Sequence, residues 1–580
     1  MMIINSDTRI PIENHFRVSA GPGAGKTHWL VNHIKNVLQN STRLSNARKI
    51  ACITYTNIAV ETILKRLGTA ADQVEVSTIH SFLYRHVVKP YCSFIASDVG
   101  LNLEKFNGHN DTIVSNSRIK HWLENLPCKD QLKKPCECNQ LLYSKVHRKA
   151  LIKWLETLYY SFDNDKLYIT GDSKKAYYGK LHLTNQCLKI LESELFQYKK
   201  LYWKDGIVDH NDILYFSYKL IEKYPFIIQI LRAKFPYFFI DEFQDTNPIQ
   251  LSLIRKIGQK ETIVGVIGDK AQSIYSFQGA SMTQFEKFYL PNLIDYVMVD
   301  NRRSTNQIVD VLNLIRKDIQ QNKFRKVEGD LPVILVGDRN KGYEKAKELC
   351  NNSEICTLTR DNATANSMKK EIDENISDKN LFLELKILDS NSKRCNVVYS
   401  CIQAVELANN GNYKEAIKKL EYLFTERNDK HAVKKMALSC LCLLINNYNS
   451  FKDKTLMDFY SFVKDKIFTD LSKFRKGNIK TFYEKHTYQQ LAAYVNIVDD
   501  ISYFKTIHKA KGDEFNNVLL ILKEKDLDFL LKPNLLKNEE HRIYYVAISR
   551  AKEKLFICVD NLNPQNILKL NTLFNIVILN

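Results

Sequence analysis

The sequence predicts an α/β protein built on parallel sheets, and two stretches of the chain carry this prediction. In the first, the apolar segment Phe16–Ala20 leads into the glycine-rich segment Gly21–Thr27, and apolar residues then recur at helical spacing from Leu30 to Leu38. In the second, the continuous apolar run Phe235–Ile240 ends at two acidic residues. A strand, a glycine-rich turn and a helix in this order indicate a phosphate-binding P-loop, which an acidic strand end complements.

Length and composition predict a folded chain of several domains. At roughly 150 residues per domain, 580 residues correspond to about four domains. With 44% hydrophobic residues, 19 Gly and 12 Pro, the chain is neither disordered, collagen-like nor dominated by linkers. No apolar run approaches the roughly 18 residues of a membrane span, and the first residues lack a secretory signal pattern. We therefore expect a soluble cytoplasmic protein without a membrane partner.

The charge balance favours a polyanionic partner. The chain has 84 Lys and Arg against 65 Asp and Glu, a formal net charge of +19. Each phosphate that such a surface neutralises releases condensed counterions, so the excess favours nucleic acid. An otherwise ordinary basic enzyme that adheres to ribosomes is the alternative from charge alone.

The cysteines are typical of a reduced, intracellular protein. Thirteen are scattered singly along the chain, which does not indicate a disulfide framework. Cys128, Cys136 and Cys138 lie close together, with His121 upstream, and could in principle hold a metal ion. Zinc sites usually contain paired cysteines at matching spacing, and no second pair is present. Free thiols in a loop are the favoured interpretation, and a metal site remains the alternative.

The glycine-rich segment has the residues that hold a triphosphate. Its backbone can curl so that N–H groups point at the phosphates, at a helix N-terminus whose dipole favours anions. Lys26 is expected to reach the β- and γ-phosphates, and Thr27 to ligate Mg²⁺. Ala20 occupies the first position of the motif, where glycine is more usual. A chance glycine-rich loop is the alternative.

The acidic strand end supplies the second half of such a site. Asp241 is placed to hold Mg²⁺, and Glu242 to orient and deprotonate an attacking water. An acidic loop after a core strand is the alternative, and it is less favoured once the P-loop is present.

Eight motifs in collinear order resemble those of the UvrD/Rep-like superfamily 1A DNA helicases. They span the chain from Ala20 to Lys552 and correspond to motifs I, Ia, Ic, II, III, IV, V and VI: Ala20–Thr27, Thr54–Ala59, Ser77–Phe82, Asp241–Asn247, Gly268–Tyr275, Asn301–Ser304, Thr506–Phe515 and Tyr545–Lys552. The resemblance implies two RecA-like parallel-sheet P-loop domains, each with a mainly helical insertion, that use ATP and Mg²⁺.

The resemblance also implies roles at the nucleotide site. The implied catalytic residues are Lys26, Asp241, Glu242, Gln272, Arg303 and Arg550. Among them, Gln272 would sense the γ-phosphate, and the two arginines would reach it as arginine fingers. The implied nucleotide-binding residues are Ala20, Gly21, Pro22, Gly23, Ala24, Gly25, Lys26, Thr27, His28, Arg302 and Glu514, and the implied Mg²⁺ ligands are Thr27 and Asp241.

A further set of residues matches positions where the family contacts single-stranded DNA. These are Tyr55, Thr56, Asn57, His80, Tyr275, Phe277 and His508. Aromatic rings at such positions stack on bases without regard to sequence. Packing in the core is the alternative for the aromatic residues.

Two positions depart from the family pattern near the nucleotide base. The family usually has a glutamine before the P-loop, and the segment before Phe16 has none. Arg302 stands where the family usually has a base-stacking tyrosine. An adenine could stack on the guanidinium plane instead, so the preference for ATP over other nucleotides stays open.

The order of the motifs sets a domain map. It assigns residues 1–88 and 206–293 to the first RecA-like domain, 89–205 to its insertion, 294–372 and 501–580 to the second RecA-like domain, and 373–500 to a second insertion.

The sequence predicts an ATP-dependent helicase or translocase. The resemblance implies 3′-to-5′ movement on single-stranded or tailed duplex DNA, with hydrolysis that DNA stimulates. The alternative is a nucleotide- and DNA-sensing subunit that unwinds little. The compact size and short second insertion resemble helicase-like partners of nucleases in bacterial anti-phage defence, such as the Gabija system.

Overall fold

The chain divides into two compact units. The computed structural model describes residues 1–109, 114–134, 136–163, 166–275, 282–369, 381–389, 391–424, 429–474, 477–495 and 502–579. The first unit comprises Met1–Gly329 with Asp528–Ser549, and the second comprises Asp330–Leu527 with Arg550–Asn580.

The first unit is built on a seven-stranded parallel sheet. Its order is Met2–Ile4, Ile294–Met298, Phe16–Ala20, Ile263–Gly268, Tyr237–Ile240, Ile50–Thr54 and Val74–Thr78. The three strands Ile263–Gly268, Tyr237–Ile240 and Ile50–Thr54 are buried throughout. Continuous apolar runs are expected where helices cover both faces of a parallel sheet.

The first unit extends beyond the predicted boundary at residue 293. Ile294–Met298 pairs in parallel with Phe16–Ala20, with Ile294 opposite Phe16 and Met298 opposite Ala20. Tyr296 and Met298 are buried in the core of this sheet. The burial of these side chains therefore places the strand in the first sheet, whereas the motif order assigned it to the second domain.

Helices of the first unit cover its sheet and build the insertion. They are Lys26–Asn40, Asn57–Leu67, Ile79–Leu83 with a π-helical continuation Tyr84–Val88, Lys89–Tyr91, Ala96–Val99, Asn116–Glu124, Cys138–Tyr143, Lys145–Leu155, Asn185–Glu192, Leu195–Trp203, His210–Lys223, Phe226–Lys234, Pro248–Gly258, Met282–Lys287, Asn306–Ile315, Asp528–Leu531 and Glu539–Ile548. The insertion also contains two antiparallel hairpins, Tyr159–Asp163 with Lys166–Thr170 and Tyr177–Tyr178 with Leu181–His182, which the sequence analysis did not anticipate. A short parallel pair joins Asp300–Asn301 to Asn322–Lys323.

A buried charged cluster attaches the insertion to the helix that follows it. Lys199 Nζ lies 2.6 Å from Asp209 Oδ2 and 2.8 Å from Asp212 Oδ1. The Tyr160 hydroxyl donates to Asp212 Oδ1 over 2.7 Å. Asp209 caps helix His210–Lys223 by accepting from the Asp212 backbone N–H, as expected for an acid at this position. Burial, with the nearby Asp209 carboxylate, raises the pKa of Asp212 to about 6.

The second unit is built on a six-stranded parallel sheet. Its order is Phe504–Thr506, Cys356–Thr359, Phe515–Leu522, Ala551–Val559, Val333–Val336 and Asn575–Ile578. Its helices are Arg339–Leu349, Asn362–Lys369, Leu381–Leu388, Ser392–Asn409, Tyr413–Glu421, Lys430–Asn446, Tyr448–Phe451, Leu456–Lys466, Asn478–Lys485, Tyr488–Ala492 and Pro564–Leu570. Those from Leu381 to Ala492 enclose a separate hydrophobic core. The predicted α/β fold class with two large parallel sheets is confirmed.

The cysteines near the predicted alternative metal site make ordinary hydrogen bonds. Cys128 Sγ donates to the Ile190 carbonyl over 3.8 Å, and Cys138 Sγ donates to the Leu123 carbonyl over 3.3 Å. In the described part of the chain, no group of three or more His, Cys, Asp or Glu side chains is arranged to hold a metal ion. No described helix is both long and apolar enough to cross a membrane.

Candidate nucleotide-binding site

The glycine-rich segment forms the predicted turn between a buried strand and a helix. Strand Phe16–Ala20 ends in the sheet, and helix Lys26–Asn40 begins with Lys26. Gly25, the residue before the helix, has φ of 82°. The turn therefore directs backbone N–H groups and the N-terminal end of the helix dipole toward one point, which is the arrangement that binds phosphate.

Gly23 is required by both its backbone conformation and its neighbours. Its φ of 71° lies in the left-handed region that disfavours side chains. A Cβ at this position would lie 2.8 Å from Arg303 Cβ and 2.8 Å from Asn301 Oδ1. The Gly23 carbonyl also accepts from the Arg302 backbone N–H over 2.9 Å. The loop Asn301–Arg303 is thus held directly against the P-loop.

Thr27 and Asp241 meet at the point where Mg²⁺ is expected. Thr27 Oγ1 donates to Asp241 Oδ2 over 3.4 Å. Asp241 is buried, and burial together with the neighbouring Glu242 carboxylate raises its pKa to about 7. A divalent cation would satisfy this buried carboxylate, and a hydroxyl and a carboxylate are oxygen ligands that Mg²⁺ prefers. The two residues therefore fit the ion.

Glu242 adopts a strained backbone conformation directly after Asp241. Its φ of 55° lies in the left-handed region, which a non-glycine residue rarely occupies. Gln244 Nε2 donates to Glu242 Oε2, which fixes the carboxylate. Backbone strain of this kind is common where a side chain must be aimed at a reacting group.

Gln272 lies in a buried turn beside this strand end. Its Nε2 donates to Asp269 Oδ2 over 2.7 Å, and its side chain is buried. The Asp269 backbone N–H donates to Gln244 Oε1 over 2.9 Å. Gln244 therefore links the turn that carries Gln272 to the Glu242 carboxylate.

Arg302 and Arg303 adjoin the P-loop but have different surroundings. Arg302 Nη2 donates to Asp7 Oδ2 over 2.9 Å, and its guanidinium carbon lies 3.9 Å from the centre of the Phe324 ring. Arg303 Nη1 donates to the Ser549 carbonyl over 2.7 Å. Arg302 is therefore clamped between an acid and an aromatic ring, while Arg303 points to the end of helix Glu539–Ile548.

Asp7 also approaches His28 in the first turn of the P-loop helix. The distance between His28 Nε2 and Asp7 Oδ1 is 3.5 Å. Asp7 thus joins His28 and Arg302, two residues that the resemblance assigns to nucleotide binding. Nothing in the local sequence around Asp7 indicates its contact with Arg302, so the sequence alone does not mark Asp7 as a site residue.

Three predicted site residues lie in the second unit. Arg550 is buried there, and its Nη1 donates to the Asp513 carbonyl over 3.3 Å. Glu514 forms an ion pair of 3.2 Å with Lys552. His508 accepts at its carbonyl from the Lys511 backbone N–H over 3.4 Å. Their assigned roles remain predictions from the resemblance.

Two of the predicted DNA-stacking rings stack on each other. The ring centres of Tyr55 and Tyr275 are 4.9 Å apart, with an angle of 21° between the planes. Burial and the nearby Asp245 carboxylate raise the pKa of the Tyr55 hydroxyl. Thr56 Oγ1 caps helix Asn57–Leu67 by accepting from the Ala59 N–H over 3.2 Å. Phe277, the third predicted ring, lies outside the described residues.

His80 belongs to a group of three imidazoles. Its ring centre is 5.6 Å from that of His210, and His210 Nδ1 lies 2.8 Å from His109 Nδ1. Burial, with the two neighbouring histidines, lowers the pKa of His80 to about 4. His80 is therefore neutral at pH 7 and links its motif to the insertion.

The fold and the site together define a P-loop nucleoside triphosphatase domain. A glycine-rich turn opens a helix, the pair Asp241–Glu242 follows a strand two places away in the same sheet, and a loop with two arginines adjoins the turn. The chain belongs to the UvrD/REP helicase family. Residues 5–292 match the model of the UvrD/REP helicase N-terminal domain, and residues 392–561 match that of the UvrD-like helicase C-terminal domain.

Several curated proteins are similar to part of the chain. Gabija protein GajB of Bacillus cereus is 28% identical over 334 residues, which cover 52% of this chain and 46% of that protein. The ATP-dependent DNA helicase PcrA of Staphylococcus aureus is 26% identical over 344 residues, which cover 58% of this chain and 42% of that protein. A probable DNA helicase II homolog of Mycoplasma capricolum is 26% identical over 389 residues, covering 62% and 49%. The matched region thus spans less than half the length of each relative.

Proposed function

We propose that the protein is an ATP-dependent DNA translocase or helicase that moves 3′ to 5′ on single-stranded DNA. The observation that carries this proposal is the meeting of Thr27, Asp241 and the Asn301–Arg303 loop at one P-loop. Membership of the UvrD/REP helicase family supports it, as does the similarity to PcrA.

In this proposal, residues of the first unit prepare the triphosphate for attack by water. Lys26 and the P-loop N–H groups hold the phosphates, and Mg²⁺ held by Thr27 and Asp241 would offset charge on their oxygens. Glu242, fixed by Gln244, orients the attacking water and accepts its proton. Arg303, whose Cβ lies close to Gly23, supplies positive charge to the terminal phosphate once its guanidinium turns from the Ser549 carbonyl.

The test compares hydrolysis by the wild-type chain and by two variants. Glu242→Gln is expected to bind a fluorescent ATP analogue normally and to hydrolyse ATP about 100-fold more slowly or worse, because it lacks the base. Lys26→Ala is expected to lose both binding and hydrolysis. Glu104→Gln, at an exposed glutamate of the insertion, is the matched control. If single-stranded DNA does not stimulate wild-type hydrolysis, the proposed function is wrong.

Polarity is tested separately by strand displacement. A duplex with a 3′ single-stranded tail should be unwound, and one with a 5′ tail should not. Unwinding of the 5′-tailed substrate alone would contradict the proposed direction.

A second candidate function is that of a nucleotide- and DNA-sensing subunit that acts with a nuclease. The similarity to Gabija protein GajB favours it. In that case the chain alone should hydrolyse ATP in the presence of DNA but displace few strands, and it should co-purify with a nuclease subunit. Efficient unwinding by the chain alone would argue against this candidate.

A further inference from the structure

Two buried arginines hold the turn Asp269–Ser273 from its opposite ends. At the start, Arg316 Nη1 donates to Asp269 Oδ1 over 2.7 Å. At the end, Arg542 Nε donates to the Ser273 carbonyl over 2.7 Å. Gln272 Nε2 donates to the other oxygen of the Asp269 carboxylate, also over 2.7 Å. This carboxylate therefore bridges Arg316 and Gln272.

The pair of Arg316 and Asp269 is shut off from solvent. Their side chains are 1% and 0% exposed. A buried carboxylate is costly unless a positive charge and hydrogen bonds compensate it. Burial alone lowers the pKa of Arg316, but the attraction of Asp269 raises it above the ordinary arginine value, so the guanidinium stays charged. Without this charge, the buried Asp269 carboxylate would lose its compensating cation and hold Gln272 less firmly.

Arg316 also ends a helix that begins shortly after the loop Asn301–Arg303. Helix Asn306–Ile315 begins shortly after Arg303, and the Arg316 backbone N–H donates to the Leu312 carbonyl at its C-terminus. A helix of this length moves as one rigid element. A displacement of the loop that carries Arg303 is therefore passed to Arg316.

We propose that Arg316 is a positioning residue that couples Gln272 to the loop carrying Arg303. The inference rests on the proposed function, in which Arg303 acts on the terminal phosphate, and on the role of γ-phosphate sensor that the family resemblance implies for Gln272. When the helix moves, Arg316 displaces the Asp269 carboxylate to which it is bonded, and this carboxylate displaces the Gln272 amide. Tyr275 follows the same turn by two residues, so the position of Gln272 is passed on to the Tyr55–Tyr275 stack. Arg316 lies outside every motif, so the sequence alone does not predict this role.

The experiment compares Arg316→Lys with a matched control in the other unit. Lysine keeps the charge but loses the planar fork that reaches Asp269 and Asp318 together. Arg394→Lys is the control, because Arg394 and Asp389 form a buried pair of 2.6 Å whose side chains are 7% and 0% exposed. ATP hydrolysis with and without single-stranded DNA, the KM for ATP and thermal unfolding are measured for each full-length protein.

The ratio of DNA-stimulated to basal hydrolysis distinguishes coupling from folding. We expect Arg316→Lys to lower this ratio by about 2- to 30-fold, the usual range for a coupling residue, with the basal KM for ATP unchanged. A merely structural role would lower both rates in proportion to the folded fraction and leave the ratio at the control value. An unchanged ratio in Arg316→Lys therefore overturns the inference.

A milder variant decides the question if Arg316→Lys does not fold. Asp318→Asn removes the negative charge of the partly exposed residue that accepts from Arg316 Nε over 2.9 Å, and it leaves the pair of Arg316 with Asp269 intact. We expect a decrease of the ratio of about twofold, at the low end of the coupling range, and no decrease would overturn the inference. A wild-type protein whose hydrolysis does not respond to DNA would instead refute the proposed function, and the inference with it.

Discussion

Replacing Tyr275 by alanine tests whether the Tyr55–Tyr275 stack is a DNA-binding element. The rings are 4.9 Å apart between centres. A base sandwiched between them needs about 7 Å, two layers at van der Waals separation, so the rings must part before DNA binds. DNA binding therefore exchanges one ring–ring contact for two ring–base contacts.

The size of the effect follows from this exchange. Each ring–base stack contributes about 1–3 kcal/mol, and the ring–ring contact that must break contributes about 0.5–1.5 kcal/mol. Tyr275→Ala loses one ring–base stack but no longer has a ring–ring contact to break. The net loss is about 1 kcal/mol, which is about a fivefold increase in Kd for single-stranded DNA.

The assay is fluorescence anisotropy with a labelled single strand at fixed salt. Tyr275→Phe keeps the ring and should bind within about twofold of the wild type, because base stacking needs only the ring. Tyr289→Ala, at a tyrosine that is 70% exposed, controls for the loss of a surface aromatic residue. If Tyr275→Ala binds DNA like the wild type but unfolds at a lower temperature, the stack is a core contact and the reasoning is refuted.

Two further predictions concern stability and the P-loop. Lys199→Met should lower the free energy of unfolding by about 3–5 kcal/mol, because it leaves two buried carboxylates without their cation. The pKa of Asp212 is already raised to about 6 in the folded protein, well above its unfolded value of 3.8. Protonation of Asp212 therefore removes one of the uncompensated charges in the variant. The loss of unfolding free energy relative to the wild type, measured with urea, should shrink as pH falls from about 7 to 5. A deficit independent of pH would contradict this explanation. Gly23→Ala should raise the KM for ATP about tenfold or more, since it costs about 1–2 kcal/mol of backbone strain and clashes with Arg303. The control is Gly100→Ala, because Gly100 has a φ of 74° and no atom lies within 4 Å of the added Cβ. An equal rise of the KM for ATP in this control would show that backbone strain, and not the clash with Arg303, causes the rise.

The residues that the sequence identifies best are those that follow the ends of strands. The P-loop and the pair Asp241–Glu242 each follow a buried apolar strand, so a local pattern marks them and a parallel sheet brings them to one edge. The predicted strand Phe16–Ala20 has the predicted bounds, and the family and fold class that the motifs indicate are confirmed. In these cases the residues that carry the chemistry also lie in a recognisable local pattern at a strand end.

The contacts that the sequence does not reveal are polar pairs far apart in the chain. Arg316 meets Asp269 across 47 residues, and Arg302 meets Asp7 across 295. Neither arginine has a neighbour in sequence that identifies its partner, because the pairing arises only when strands and helices pack. The strand Ile294–Met298 is a similar case, since its place in the first sheet depends on its pairing with Phe16–Ala20.

Gln244 connects the Glu242 carboxylate to the turn that Arg316 and Arg542 hold. Its Nε2 donates to Glu242, its Oε1 accepts from the Asp269 N–H over 2.9 Å, and its carbonyl accepts from Ser273 Oγ over 3.1 Å. Gln244 is therefore bonded to both ends of the turn. Each end is also bonded to a buried arginine, Arg316 at Asp269 and Arg542 at Ser273. A segment restrained at so many points shifts as a body rather than deforming, because each broken hydrogen bond would leave a buried polar group unsatisfied. In the proposed coupling, movement that starts at the nucleotide therefore reaches Tyr275, which follows this turn by two residues.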